Sequence, residues 1–181
     1  MTFKLPDPNR MVCRWLLCLM ASAAARAGDT IQQAGDVLQL ALPAAAVGTT
    51  IGHVDSPGTL QFGESAALTL GVTYVLKNAV DETRPNGGSE SFPSGHTSIS
   101  FCPAEFMRKR YGWEYGIPAY AAGTFVAYRR VEANEHYPDD VIAGAAIGVA
   151  SRFIFTRPYK GWTVKAEARG RFPGLALNQT W

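Results

Sequence analysis

Ten residues in three short blocks have the types and spacing to do chemistry together. Six residues separate Lys77 from Arg84-Pro85, and Pro93-Ser94-Gly95-His96 follows. Five residues then separate Arg130 from His136, and three more separate His136 from Asp140. Three permanent cations, two imidazoles and one carboxylate therefore fall within 64 residues. Such a set suits a phosphate ester. Arginine grips phosphate oxygens as a planar fork and keeps its proton, while lysine adds a mobile point charge. Charge that spreads over the equatorial oxygens during displacement is stabilised by that cradle.

The middle block places Ser94 and Gly95 before an expected helix, whose free backbone N–H groups favour an anion. Gly95 has no side chain to block a close approach, Ser94 offers a hydroxyl, and His96 at the helix mouth can protonate a departing alkoxide. In the last block a near-helical turn from His136 puts Asp140 on the same face. The carboxylate then holds the proton of one ring nitrogen and leaves the other free to attack phosphorus. The intermediate expected is a phosphohistidine, later hydrolysed by water. No metal or other cofactor is called for, because fixed cations take that electrostatic role. Each block alone is a weak signal with a bland reading, namely a surface ion pair, a turn into a helix, or a structural hydrogen bond. All ten residues together at these spacings arise by chance on the order of once in a billion sequences.

The three blocks resemble the signature of the type 2 phosphatidic acid phosphatase superfamily: Lys-x6-Arg-Pro, Pro-Ser-Gly-His and Ser-Arg-x5-His-x3-Asp. The neighbouring text is similar too, in Ser91-Phe92 and in His136-Tyr137-Pro138-Asp139-Asp140-Val141-Ile142-Ala143-Gly144. The likeness covers roughly residues 37–157. It implies an all-helical fold, His136 as nucleophile oriented by Asp140, His96 as acid, and Lys77, Arg84, Ser94, Gly95 and Arg130 as phosphate ligands. One position departs: Arg129 stands where the family has serine, either to meet a second phosphate or to face solvent. The implied activity is hydrolysis of a phosphomonoester, lipid phosphate or pyrophosphate. A phosphotransferase with the same intermediate, a vanadium-dependent haloperoxidase and a non-catalytic phosphate binder are the alternatives.

The elements that must position these residues read as helices. With 181 residues, 47% of them hydrophobic and 18% charged, one domain with a sizeable core is expected. No run alternates as an all-β domain requires. The expectation is a compact bundle of about five or six helices: Val37–Gly52, kinked or divided at Pro43; a helix opening at Gly63-Glu64-Ser65 and ending near Lys77; one from about Ser94 to Arg110; one from Ile117 to about Arg130; and one from Pro138 to Phe155. Asp81 to Ser91 reads as a loop. Residues 158–181 read as an irregular tail, with only a weak strand hint where Val164, Ala166 and Ala168 alternate with charges.

Residues 1–27 have the form of an export signal: Lys4, Arg10 and Arg14, an apolar run from Trp15 to Ala25, then Ala25-Arg26-Ala27. This places the phosphatase domain, residues 28–157, in the periplasm or at the outer face of the inner membrane. The segment holds four of the 17 cations and one of the 15 anions, so the rest carries 13 against 14, a net charge of −1. That balance excludes a nucleic-acid partner, which needs a clustered basic face. Cys102, the one cysteine beyond the segment, reads as a buried small hydrophobe. The apolar runs at Val37–Gly52 and Val141–Phe155 fall short of the ~20 residues a bilayer needs. This favours a soluble domain, loosely membrane-associated at most. Asp81, Glu82, Glu132 and Glu135 read as solvated loop charges, and His53 as a turn residue.

Overall fold

The computed structural model describes residues 31–159, 162–169 and 172–179. The export-signal segment lies outside the described residues. Among the described residues five helices carry the fold: α1 (Ile31–Gly52), α2 (Ser56–Ala79), α3 (Gly95–Tyr111), α4 (Trp113–Glu132) and α5 (Pro138–Phe155). Short turns join α1 to α2, α3 to α4, and α4 to α5, so these neighbours run up and down. The starts of α1, α3 and α5 and the ends of α2 and α4 therefore meet at one end of the bundle.

α1 is a single helix through Pro43 and starts ahead of Val37, where a polar lead-in was expected. α2 begins at Ser56 rather than near Gly63. The cause is local: Asp55 caps it by accepting from the Gly58 N–H at 3.0 Å, and Pro57 sits in the first turn. α5 starts at Pro138 and ends at Phe155, as its pattern indicated.

α3 is the hub and touches the other four helices. Small residues let its neighbours close on it. A Cβ at Gly144 would lie 2.4 Å from the Ser94 carbonyl oxygen, and one at Gly148 would lie 2.6 Å from that of Ser98. The α3–α5 contact is thus main chain against main chain. Leu42, Phe62, Phe106, Met107 and Val126 form an apolar core between α1, α2, α3 and α4. Cys102 lies in that core. Between α2, α3 and α5 the interior is made of hydroxyls instead. Thr69 donates to Ser151 at 2.8 Å and Thr73 to Ser98 at 2.9 Å, all four buried.

The outside is correspondingly apolar. Leu40, Leu70, Val75, Ile142, Phe153 and Ile154 are all exposed. Small and hydroxyl residues thus make the interfaces between these helices, while large apolar side chains face outwards. Among the described residues one helix, over Ala34–Gly52, is long and apolar enough by length and composition to cross a membrane.

At the far end from the three blocks, Asp55 accepts from Arg110 Nε at 2.5 Å, Arg110 Nη2 at 2.6 Å and the Tyr111 hydroxyl at 2.6 Å. Arg110 also donates to the Arg157 carbonyl, which ties the end of α5 to this knot. His53 lies here, its ring stacked on Tyr111. The tail is not irregular: Trp162–Arg169 (β1) and Phe172–Gln179 (β2) pair antiparallel, with Val164 opposite Leu177 and Arg169 opposite Phe172. The alternation at Val164, Ala166 and Ala168 was the trace of that hairpin.

Candidate active site

The three blocks meet at the end of the bundle where α3 and α5 begin. Ser94 caps α3 and is fully buried; its backbone N–H donates to the Asp140 carbonyl at 3.0 Å. This bond joins the middle block to the last. The Ser94 hydroxyl accepts from Thr97 at 3.0 Å, which leaves its own proton free to donate.

His136 is 2% exposed and Asp140 is fully buried. His136 Nδ1–H donates to Asp140 Oδ2 at 3.4 Å. A carboxylate only accepts, so this contact keeps the proton on Nδ1 and the lone pair on Nε2. Among the described residues Nε2 has no hydrogen-bond partner. The same Oδ2 accepts from the Ser91 hydroxyl at 2.5 Å and the Tyr137 N–H at 2.9 Å, while Oδ1 is buried without a partner. Ser91 was noted only as flanking text; nothing in its spacing marked it as the residue that holds Asp140.

Lys77 reaches from the end of α2 and donates to the Glu90 carbonyl at 2.6 Å. Arg84 sits in a tight turn closed by its N–H on the Gly88 carbonyl and by the Gly87 N–H on its own, with Gly87 at φ +87°. Its Nη1 pairs with Glu135 at 2.7 Å. Arg130, 5% exposed, stands in the last turn of α4, and its carbonyl accepts the backbone N–H groups of Glu135 and His136. Arg130 thus also sets the turn that presents His136. Its Nη1 lies 3.3 Å from His96 Nε2.

Both imidazoles are pushed towards neutrality. Burial first, then the charges of Arg84 and Lys77, hold His136 below the ordinary histidine value, with Asp140 opposing. Burial and Arg130 bring His96 down to about 4. Burial and Arg84 likewise depress Lys77. Lys77, Arg84, Arg130 and both histidines thus lie close enough to act on one another's charge.

Three further residues bear on the site. Arg129, where serine was expected, is ion-paired to Glu132 and is mostly buried. Glu135 and Glu132 are therefore partners of arginines, not free loop charges. Asp36 of α1 accepts from Arg130 Nη2 at 2.6 Å. No pattern led to it, because it lies far ahead of the first block with no fixed spacing. Among the described residues no three His, Cys, Asp or Glu side chains gather closely enough to hold a metal ion.

Known proteins share these features. Residues 86–162 match the PAP2 superfamily, a span that includes the second and third blocks but starts after Arg84. The chain is 27% identical to a lipid A 4'-phosphatase of Helicobacter pylori over 88% of its own length and 87% of that protein. It is 34% identical to a lipid A 1-phosphatase of Porphyromonas gingivalis over 46% of its length, but only 20% of that longer protein. The crystal structure of Aquifex aeolicus LpxE superposes with a TM-score of 0.54 at 20% identity, over 66% of this chain and 83% of that one. A buried His–Asp pair, a cluster of cations and a helical bundle of similar fold accompany the matched sequence, and over residues 86–162 the chain is similar to the PAP2 superfamily.

Proposed function

We propose that this phosphoric ester hydrolase acts on a phosphate carried by a lipid, with a glycolipid of the lipid A type as the first candidate. The observation that carries the mechanism is His136, held on Asp140 with an unengaged Nε2 beside cationic side chains. The His136 Nε2 lone pair forms a P–N bond as the P–O bond to the leaving group breaks. Protonated His96 gives its proton to the leaving oxygen. Water then gives a proton back to His96 and attacks phosphorus, the P–N bond breaks, and phosphate departs. Lys77, Arg84, Arg130, Ser94 and the N–H groups at the start of α3, Gly95 among them, hold the equatorial oxygens.

The substrate reading rests on three supports. Two relatives are named for lipid A. The outer faces of the helices are apolar, which favours membrane association. Between α2 and α5 an apolar groove of about 150 Å³, lined by Leu68, Val72, Ile147 and Ile154 among others, opens below the site. Val72 lies about 8 Å along the helix axis from Lys77, within reach of an alkyl chain whose phosphate sits on the cradle. The signal-like residues 1–27 favour an exported site.

The test is a panel in detergent with EDTA present: lipid A, phosphatidic acid, a polyprenyl pyrophosphate and soluble esters. Turnover of a lipid phosphate far above the soluble esters, abolished by His136→Ala, is the expected result. Equal turnover of soluble esters overturns the substrate class, and an active His136→Ala overturns the nucleophile. Added acceptor alcohols distinguish a phosphotransferase by its products.

A further inference from the structure

A carboxylate from outside all three blocks is seated on the cradle. Asp36 Oδ1, in the second turn of α1, accepts from Arg130 Nη2 at 2.6 Å and lies 3.5 Å from His96 Nε2. Arg130 Nη1 is 3.3 Å from that same Nε2. The three groups form a closed triangle. Asp36 is 54% exposed while the Arg130 side chain is 6% exposed. The interest of Asp36 lies in what it does to the two groups it touches.

His96 has two ways to sit in the triangle. Neutral, its Nε2 accepts an N–H from Arg130. Protonated, it is repelled by Arg130 and attracted by Asp36. The charged groups around it are Arg130 from α4, Asp36 from α1, and His136 and Glu135 from the turn between α4 and α5. Lys77 of α2 packs over neighbouring Gly95, and Asp140 of α5 is taken up by Ser91 and Tyr137. In the substrate-free site burial and Arg130 prevail and the ring is neutral at pH 7. A bound phosphate dianion offsets the cations, and the fixed charge of Asp36 then tips the balance.

We propose that Asp36 is a positioning residue for the acid step: it holds the Arg130 guanidinium in place and stabilises the proton-bearing form of His96 once phosphate is bound. This rests on the reading of His96 as the acid. It makes α1 a working part of the site and not only a packing helix.

The experiment compares Asp36→Asn, Asp36→Glu and His96→Ala with the unaltered protein, on whichever of lipid A and phosphatidic acid is turned over in detergent micelles. For Asp36→Asn the alkaline limb of the kcat–pH profile is expected to move down by about one unit. At pH 8 kcat falls about tenfold, with KM within about twofold. p-Nitrophenyl phosphate, whose leaving group needs little protonation, keeps a near-normal kcat. Asp36→Glu restores the limb. A superimposable profile with a lowered KM overturns the proposal and makes Asp36 a competitor for the phosphate position. Equal loss on both esters, tracking a drop in Tm, overturns it in favour of a structural role. The underlying reading fails separately: His96→Ala active on the lipid ester refutes the acid, whereas an inactive His96→Ala with an unchanged Asp36→Asn profile refutes Asp36 alone.

Discussion

His136 must stay neutral and aimed while surrounded by cations. Burial, Arg84 and Lys77 supply the neutrality, and Asp140 supplies the aim. Asp140 in turn is fixed by Ser91 and the Tyr137 N–H. Removing one hydrogen bond from a buried carboxylate costs about 1–3 kcal/mol. Ser91→Ala is accordingly expected to lower kcat about tenfold with KM little changed, and steady-state kinetics on the lipid ester checks this. The pH dependence of stability follows from His96, whose folded value is about 4 against an ordinary 6.5. The unfolded chain takes up this proton first as pH falls. The protection is therefore full above pH ~6.5 and is lost as pH drops towards 4. Thermal melts of the substrate-free protein are expected to show a Tm that declines over this window, with a smaller decline in His96→Asn. An unchanged slope in that variant refutes the assignment. The blocks were legible at this scale because each is held within a turn or two, where spacing fixes geometry. Ser91 and Asp36 were not, since they meet Asp140 and Arg130 only across the fold.

At the scale of elements, helix identity came through in the apolar periods, but starting points depended on caps. Pro138 marked α5 correctly. Asp55-Ser56-Pro57 was as good a start for α2 as Gly63-Glu64-Ser65, because a capping carboxylate and a loop aspartate look alike without the Gly58 N–H beside them. The glycines are separable in the same way. A methyl at Gly144 meets the Ser94 backbone at 2.4 Å, whereas at Gly48 nothing stands within 4 Å. Gly144→Ala is expected to cost about 1–3 kcal/mol by overpacking and to abolish most activity, since it parts Ser94 from Asp140. Gly48→Ala is expected to stabilise by up to about 1 kcal/mol through helix propensity alone. Denaturant titration paired with activity distinguishes them, and a tolerant Gly144→Ala refutes the close-contact account.

For the whole molecule, the two ends of the bundle have different duties. One end holds the proposed phosphate cradle, and the other holds the buried Asp55–Arg110 pair, whose side chains are 2% and 6% exposed. Truncating one member leaves an uncompensated buried charge, worth about 3–5 kcal/mol. Arg110→Ala is therefore expected to lower Tm sharply while KM for the residual folded enzyme stays unchanged. A changed KM with an intact Tm contradicts this division. Runs of apolar residues in the sequence measure length, whereas the structure shows direction: hydroxyls turned inwards, and Leu70, Ile142 and Phe153 turned outwards.

The meeting of bare backbones where α5 crosses α3 has one more consequence. Gly144 and Gly148 bring α5 against the backbone at the start of α3, so the proposed span from attacking nitrogen to proton donor is a gauge with little play. Any ester whose phosphorus enters that gauge receives the same treatment.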